Sequence, residues 1–226
     1  MQWTRTIITS VAACVFLAAL PASAHAPRIV GSASVDVAGP ESSQAFYGTL
    51  TGTPAVYRID AANGFDLYVN ILTPARTNAD GRFSVDVIHR IGERQVNLAS
   101  LDAGAGEWTP FHEPFGNDEY FKGPEFREHV PAGTYEVVVW NADMSGAYVL
   151  AIGEREHWTA RDIGQLFVTL PVLKYRFFGW SAQEIILSRI GAAWAVLIAL
   201  IAGAVVLLVR FARRRAAHEA PDISPT

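Results

Sequence analysis

The chain predicts an all-β fold: an antiparallel jelly-roll or Greek-key sandwich, followed by an amphipathic segment and one carboxy-terminal transmembrane helix. Three observations predict it. Short runs of alternating apolar and polar residues fill the first two thirds of the chain, with no long helical period before about residue 157. Turn-forming pairs separate them: Asn63-Gly64, Asp80-Gly81, Ala132-Gly133 and Ser145-Gly146. Finally, the run Ile190 to Val209 carries no charge, and Arg210, Arg213, Arg214 and Arg215 follow it at once.

At the amino end, Arg5 and the apolar run Ile7 to Leu20 have the form of a secretory signal, residues 1–24. Cleavage fits after Ala24 or after Ala26, and Pro27 beside the second cut favours the first. The only cysteine, Cys14, lies in the segment to be removed, so the mature chain has no disulfide and no thiol nucleophile. Residues 25–156 form the exported domain, with 18 acidic side chains against 9 lysines and arginines. Such a balance argues against nucleic acid as a partner and for solubility.

Six segments of this domain are the best strand candidates: 45–50, 56–60, 66–72, 83–88, 134–140 and 147–152. In the third, Leu67, Val69 and Ile71 point one way and Asp66, Tyr68 and Asn70 the other, the alternation of a sheet with one wet face. Seven or eight such strands make two packed sheets. The stretch Val130-Pro-Ala-Gly-Thr-Tyr-Glu-Val-Val-Val-Trp-Asn141, followed by Ser145-Gly-Ala-Tyr-Val-Leu-Ala-Ile152, resembles the last two strands of bacterial pre-peptidase C-terminal domains. Val56 to Asp60 and Phe65 to Asn70 are similar to that family's opening strand and its D-L-Y segment. The resemblance covers residues 44–153 and implies a jelly-roll sandwich. Its members are usually appended to secreted hydrolases, and it says little about function.

A long insertion, Ala103 to His129, departs from the family pattern. Glu107 to His129 mixes six aromatics with acids and histidines, in a stretch too interrupted by proline and glycine for a regular helix. Trp108, Phe111, Phe115, Tyr120 and Phe121 can form an aromatic platform for a glycan or peptide, with Glu113, Asp118 and Glu119 as polar contacts and His112 as a further ligand-binding candidate. The alternative is that these aromatics fold inward and cap the sandwich.

Two other chemistries are available to this composition. His25, exposed as a new amino terminus, could chelate copper if His89, His112 or His129 supplied a third ligand. Paired carboxylates such as Glu113 and Asp118 could serve a hydrolase. Against an enzyme stand the absence of H-E-x-x-H, of G-x-S-x-G and of a phosphate-cradling glycine loop. Asn78-Ala-Asp80-Gly81 lacks the later ligands of a calcium loop, and no cofactor is expected.

Residues 157–180 form an amphipathic segment, interrupted by Pro171, that suits either the outer membrane–water interface or a linker helix packed on the sandwich. Ser181-Ala-Gln-Glu184 has the form of a capping box and would open the spanning segment, residues 181–209. The membrane-contacting set is Arg189, which can snorkel outward, Trp194, Gly203 on a ribbon of small residues, and the arginines at 210, 213, 214 and 215. Those arginines place the tail, residues 210–226, in the cytoplasm of a bacterium and the sandwich outside it, anchored in the inner membrane. The expectation is a non-enzymatic, membrane-anchored binding or accessory protein with a protein or envelope partner.

Overall fold

The computed structural model describes residues 25–114, 116–156 and 160–218. The signal-peptide assignment and Phe115 lie outside the described residues. The chain divides into two compact units, one ending at Gly179 and one beginning at Trp180.

The first unit is a β-sandwich. A six-stranded sheet has the order β1-β3-β11-β5-β9-β8, and a five-stranded sheet the order β2-β4-β10-β6-β7. Their spans are β1 Ala26–Ile29, β2 Ser34–Asp36, β3 Gln44–Thr51, β4 Ala55–Ala61, β5 Phe65–Pro74, β6 Ser84–Ile91, β7 Arg94–Leu101, β8 Thr109–Glu113, β9 Asp118–Val130, β10 Gly133–Trp140 and β11 Ser145–Ile152. Consecutive strands repeatedly change sheets, as β3 to β4 to β5 and β10 to β11 do, and each change carries an apolar face across the core. Pairing is antiparallel except where β1 joins β3 and β2 joins β4.

Phe46, Leu67, Val69, Ile71, Leu150 and Ile152 from one sheet meet Ile59, Val85, Val87, Val137 and Val139 from the other. Two tyrosines bridge the layers. Tyr57 and Tyr148, both fully buried, share a hydrogen bond of 2.9 Å between their hydroxyls, which satisfies two polar groups inside an apolar core. Tyr148 fits because its cross-strand neighbour is Gly48, where a Cβ would lie 2.5 Å from the phenol ring.

All six strand candidates form, but five further strands accompany them. The unforeseen ones are edge strands or carry proline and charge: Pro27 in β1, Pro110 in β8, and Gly123-Pro124 inside β9. In β9, Gly123 and Pro124 together oppose Ile71 as a bulge, and the Asn70 side chain donates to both of their carbonyls at 3.0 and 3.1 Å. The insertion is therefore an ordered hairpin, β8–β9, that widens the six-stranded sheet. Ser145-Gly146 opens β11 instead of forming a turn. The reversal lies just before it, at Asn141–Met144, where the Met144 amide donates to the Asn141 carbonyl at 3.1 Å.

Of the wet face expected on β5, Asp66 is exposed and the rest is covered. Tyr68, Asn70 and Leu72 are as buried as the core-facing side of the strand, because helix α1 (Ala160–Arg176) packs on the outer face of the six-stranded sheet. The packed-linker alternative describes this segment. Its contacts are specific: Arg28 of β1 pairs with Asp162 at 3.1 Å, Thr77 donates to the Phe177 carbonyl at 3.0 Å, and Phe177 and Phe178 meet the Tyr47 ring edge-on.

In the second unit, the capping box forms as expected, but it opens a separate short helix, α2 (Ala182–Leu187), and not the long one. Ser188 adopts an extended backbone and ends α2, and α3 (Arg189–His218) follows. From Arg189 to Arg213, α3 is long and apolar enough to cross a membrane, with a mean hydropathy of 2.8 over its most apolar stretch. Trp194 and Gly203 lie within this stretch, and the helix continues through Arg210, Arg213, Arg214 and Arg215 instead of ending at Val209.

The tyrosine bridge makes a prediction. Tyr57→Phe strands the Tyr148 hydroxyl in the core and should cost about 1–3 kcal/mol, whereas Tyr57→Phe combined with Tyr148→Phe should cost less than the sum of the two single changes. Chemical denaturation of the four proteins gives the coupling.

Candidate functional site

The hairpin β8–β9 sorts the candidate residues by strand alternation. Phe111 opposes Tyr120, and Glu113 opposes Asp118, so these four share the outer face of the sheet; His112 opposes Glu119 on the other. The first four line a cavity of about 220 Å3 between the six-stranded sheet and α1. His112 and Glu119 form an exposed pair, Nδ1 to Oε1 at 2.6 Å. Trp108 lies elsewhere again, half-buried against the core. Its indole N–H donates to the Ala103 carbonyl at 3.1 Å, and Arg82 stacks between its ring and that of Phe121 at 5.0 and 5.4 Å. The structure thus gathers Phe111, Glu113, Asp118 and Tyr120 and separates Trp108, His112 and Glu119 from them; no continuous aromatic platform forms among the described residues.

One end of the cavity is closed by a buried ion pair. Lys174 of α1 is 1% exposed; its ammonium donates to Asp118 Oδ1 at 2.5 Å and to the Gly116 carbonyl, and lies 5.3 Å from the centre of the Phe178 ring. Glu113 accepts the Gly116 N–H at 2.5 Å, so the hairpin turn is held from both sides. Burial pushes the Asp118 carboxyl up to about 6, against the opposing pull of the Lys174 ammonium, while burial also lowers Lys174. Glu113 and Asp118 do face each other, as the hydrolytic alternative asks, but Lys174 occupies Asp118 and the turn amide occupies Glu113. They form a structural clamp.

Further along the cavity, the Tyr47 and Tyr120 hydroxyls lie 3.3 Å apart, and burial raises both phenols well above the ordinary value. At the other end lie Lys122, paired with Glu125 at 2.8 Å, and His25. The His25 ring is held by Ser43, Nδ1 to Oγ at 2.5 Å, and burial lowers its pKa. The copper reading needs a third ligand, yet His112 is bound to Glu119, His129 to Asp66 at 2.7 Å, and His89 stacks on Tyr135 at 4.4 Å. Among the described residues no three metal-ligating side chains converge.

Sequence reasoning missed Lys174, Tyr47, Ala45, Ala151 and Phe178 as parts of this site. A signal was present. Tyr148-Val-Leu-Ala-Ile152 is apolar at every position, the mark of a strand covered on both faces, and Lys174 interrupts the apolar side of an otherwise amphipathic helix.

The chain is similar to the pre-peptidase C-terminal domain of a collagenase from Bacillus anthracis, at 12% identity and a TM-score of 0.32 over 57% of this chain and 95% of that one. It is also similar to the Yersinia pseudotuberculosis-derived mitogen, at 12% identity and a TM-score of 0.35 over 53% of this chain and 92% of that one. No family model and no curated protein sequence matches the chain. Assignment to a β-sandwich rests on the strand order and register given above.

Two predictions concern the clamp. Lys174→Met leaves buried carboxylate without its cation and should destabilise the first unit by about 3–5 kcal/mol, with much of the loss recovered in Lys174→Met combined with Asp118→Leu. Guanidinium unfolding measures both. Because the folded carboxyl of Asp118 titrates above its unfolded value, its contribution to stability is complete below about pH 4 and is lost as pH rises towards about 6. Unfolding free energies across pH 4 to 7 should therefore carry a downward component that Asp118→Asn removes, with Lys174, Glu113 and His112 left in place around the site.

Proposed function

We propose that the protein is a non-enzymatic, membrane-anchored binding module, with the sandwich on the extracytoplasmic side and the arginine-rich tail in the cytoplasm. A single observation carries this reading. The stretch Arg189–Arg213 lies in one helix whose most apolar part has a mean hydropathy of 2.8, and none of that part is buried within the protein. An apolar surface of that length is stable only in a hydrocarbon solvent or against a partner. Arg210, Arg213, Arg214 and Arg215 crowd one end of it and Arg189 alone stands at the other, the asymmetry that keeps the carboxyl end inside. The apolar run at the amino end supports export by the same logic.

Binding is favoured over catalysis because the carboxylates that meet, Glu113 and Asp118, are already engaged in holding the hairpin. The acidic surface of the sandwich disfavours nucleic acid and suits a protein or envelope component as partner.

Orientation is directly testable in a Cys14→Ser background expressed in a bacterium. Glu128→Cys, exposed on β9, should react with an impermeant maleimide in intact spheroplasts. Ala216→Cys should react only after permeabilisation. The reverse pattern would place the sandwich in the cytoplasm and overturn the proposal.

A further inference from the structure

The cavity between α1 and the six-stranded sheet is built by the choice of residues on three adjacent strands. Ala45 and Ala151 are register partners on β3 and β11, both facing outward, and Pro27 of β1 lies beside Ala45 in the same cross-strand row. A helix packed on a sheet is ordinarily met by large apolar side chains, which fill the layer to the density of the core. Small ones stand here instead, beneath Leu166 and Leu170 of α1, and a space of about 220 Å3 remains. An engineered apolar cavity of roughly 150 Å3 in another protein is known to take up benzene.

We infer that this cavity is a binding site for a small, neutral molecule that carries an aromatic ring and a hydroxyl or carbonyl oxygen. Tyr47, Tyr120, Phe111 and Phe178 supply ring faces and edges around the space. The Tyr47 and Tyr120 hydroxyls, 3.3 Å apart, make only a long hydrogen bond with each other and stand ready to donate to or accept from a ligand oxygen. The charged groups on the walls already have partners within the protein: Lys174 pairs with Asp118, Lys122 with Glu125, and Glu113 accepts the Gly116 amide. A neutral ligand leaves those pairs intact, whereas a charged one would have to displace a partner. This inference deepens the reading of the chain as a binding module and is independent of which side of a membrane holds the sandwich.

The probe is 4-fluorophenol, followed by fluorine NMR on the full-length protein in phosphatidylcholine nanodiscs, with empty nanodiscs subtracted. Saturable binding is expected. Ala151→Phe, which fills the cavity from the sheet, and Leu170→Trp, which fills it from the helix, should each weaken binding at least tenfold. In wild-type protein with carbon-labelled tyrosine, the ring signals of Tyr47 and Tyr120 should shift, and those of Tyr57 and Tyr135, on the far side of the sheet, should not. This last measurement stands even if a filled variant misfolds. Absence of saturable binding, shifts at Tyr57 instead of Tyr47, or undiminished binding by two folded variants would overturn the site. Tighter binding by lauric acid in competition would overturn the ligand class. A sandwich found in the cytoplasm would leave all of these readouts unchanged, so failure here and failure of the topology are told apart.

Discussion

The six-stranded sheet is apolar over its inner face and over the part of its outer face that lies beneath α1, and that constraint organises the first unit. Its inner face is covered by the five-stranded sheet, through Phe46, Leu67, Val69 and Ile71. Its outer face presents Tyr47, Tyr68, Leu72 and Val149, which no other strand can reach, and so a further layer has to come from outside the sandwich. Helix α1 is that layer. Where α1 lies, the unit is three layers deep, and it runs on to Gly179.

Docking α1 exposes the energetic problem of placing a lysine at the interface. Lys174 loses its hydration and is compensated by Asp118, the Gly116 carbonyl and the face of Phe178. An arrangement of this kind adds little net stability compared with an apolar replacement, but it accepts only one position of the helix along the sheet. The Glu113 bond to the turn amide repeats the restriction from the hairpin side. Register is fixed at this end, and the small residues Ala45 and Ala151 leave space at the middle.

The inner face was legible because its signal is local. Leu67, Val69 and Ile71 alternate with polar or amphipathic neighbours, and the same holds for Val85 and Val87, so the six strands that build most of the core can be placed from periodicity alone. The hairpin β8–β9 was not, since Gly123 and Pro124 look like a break until Asn70 is seen to satisfy the carbonyls of the bulge. Long-range partners hid the rest. Asp118 and Lys174 are 56 residues apart, and nothing near either announces the other. Of the candidate site, strand alternation could group Phe111 with Glu113; bringing Tyr120 and Asp118 to them required the hairpin's register.

The parallel pairing of β1 with β3 has a consequence for how the domain is made. Arg28 on β1 and Asp162 on α1 meet across a separation of 134 residues, one on the sheet and the other on the helical layer that covers it. That layer therefore cannot close around its space until the last helix of the domain has been synthesised. Contacts of such sequence separation form late and slowly, because a long loop must be closed before they return any stabilisation. Until then the row formed by Pro27, Ala45 and Ala151 faces water, and the arrival of α1 turns that open surface into an enclosed space.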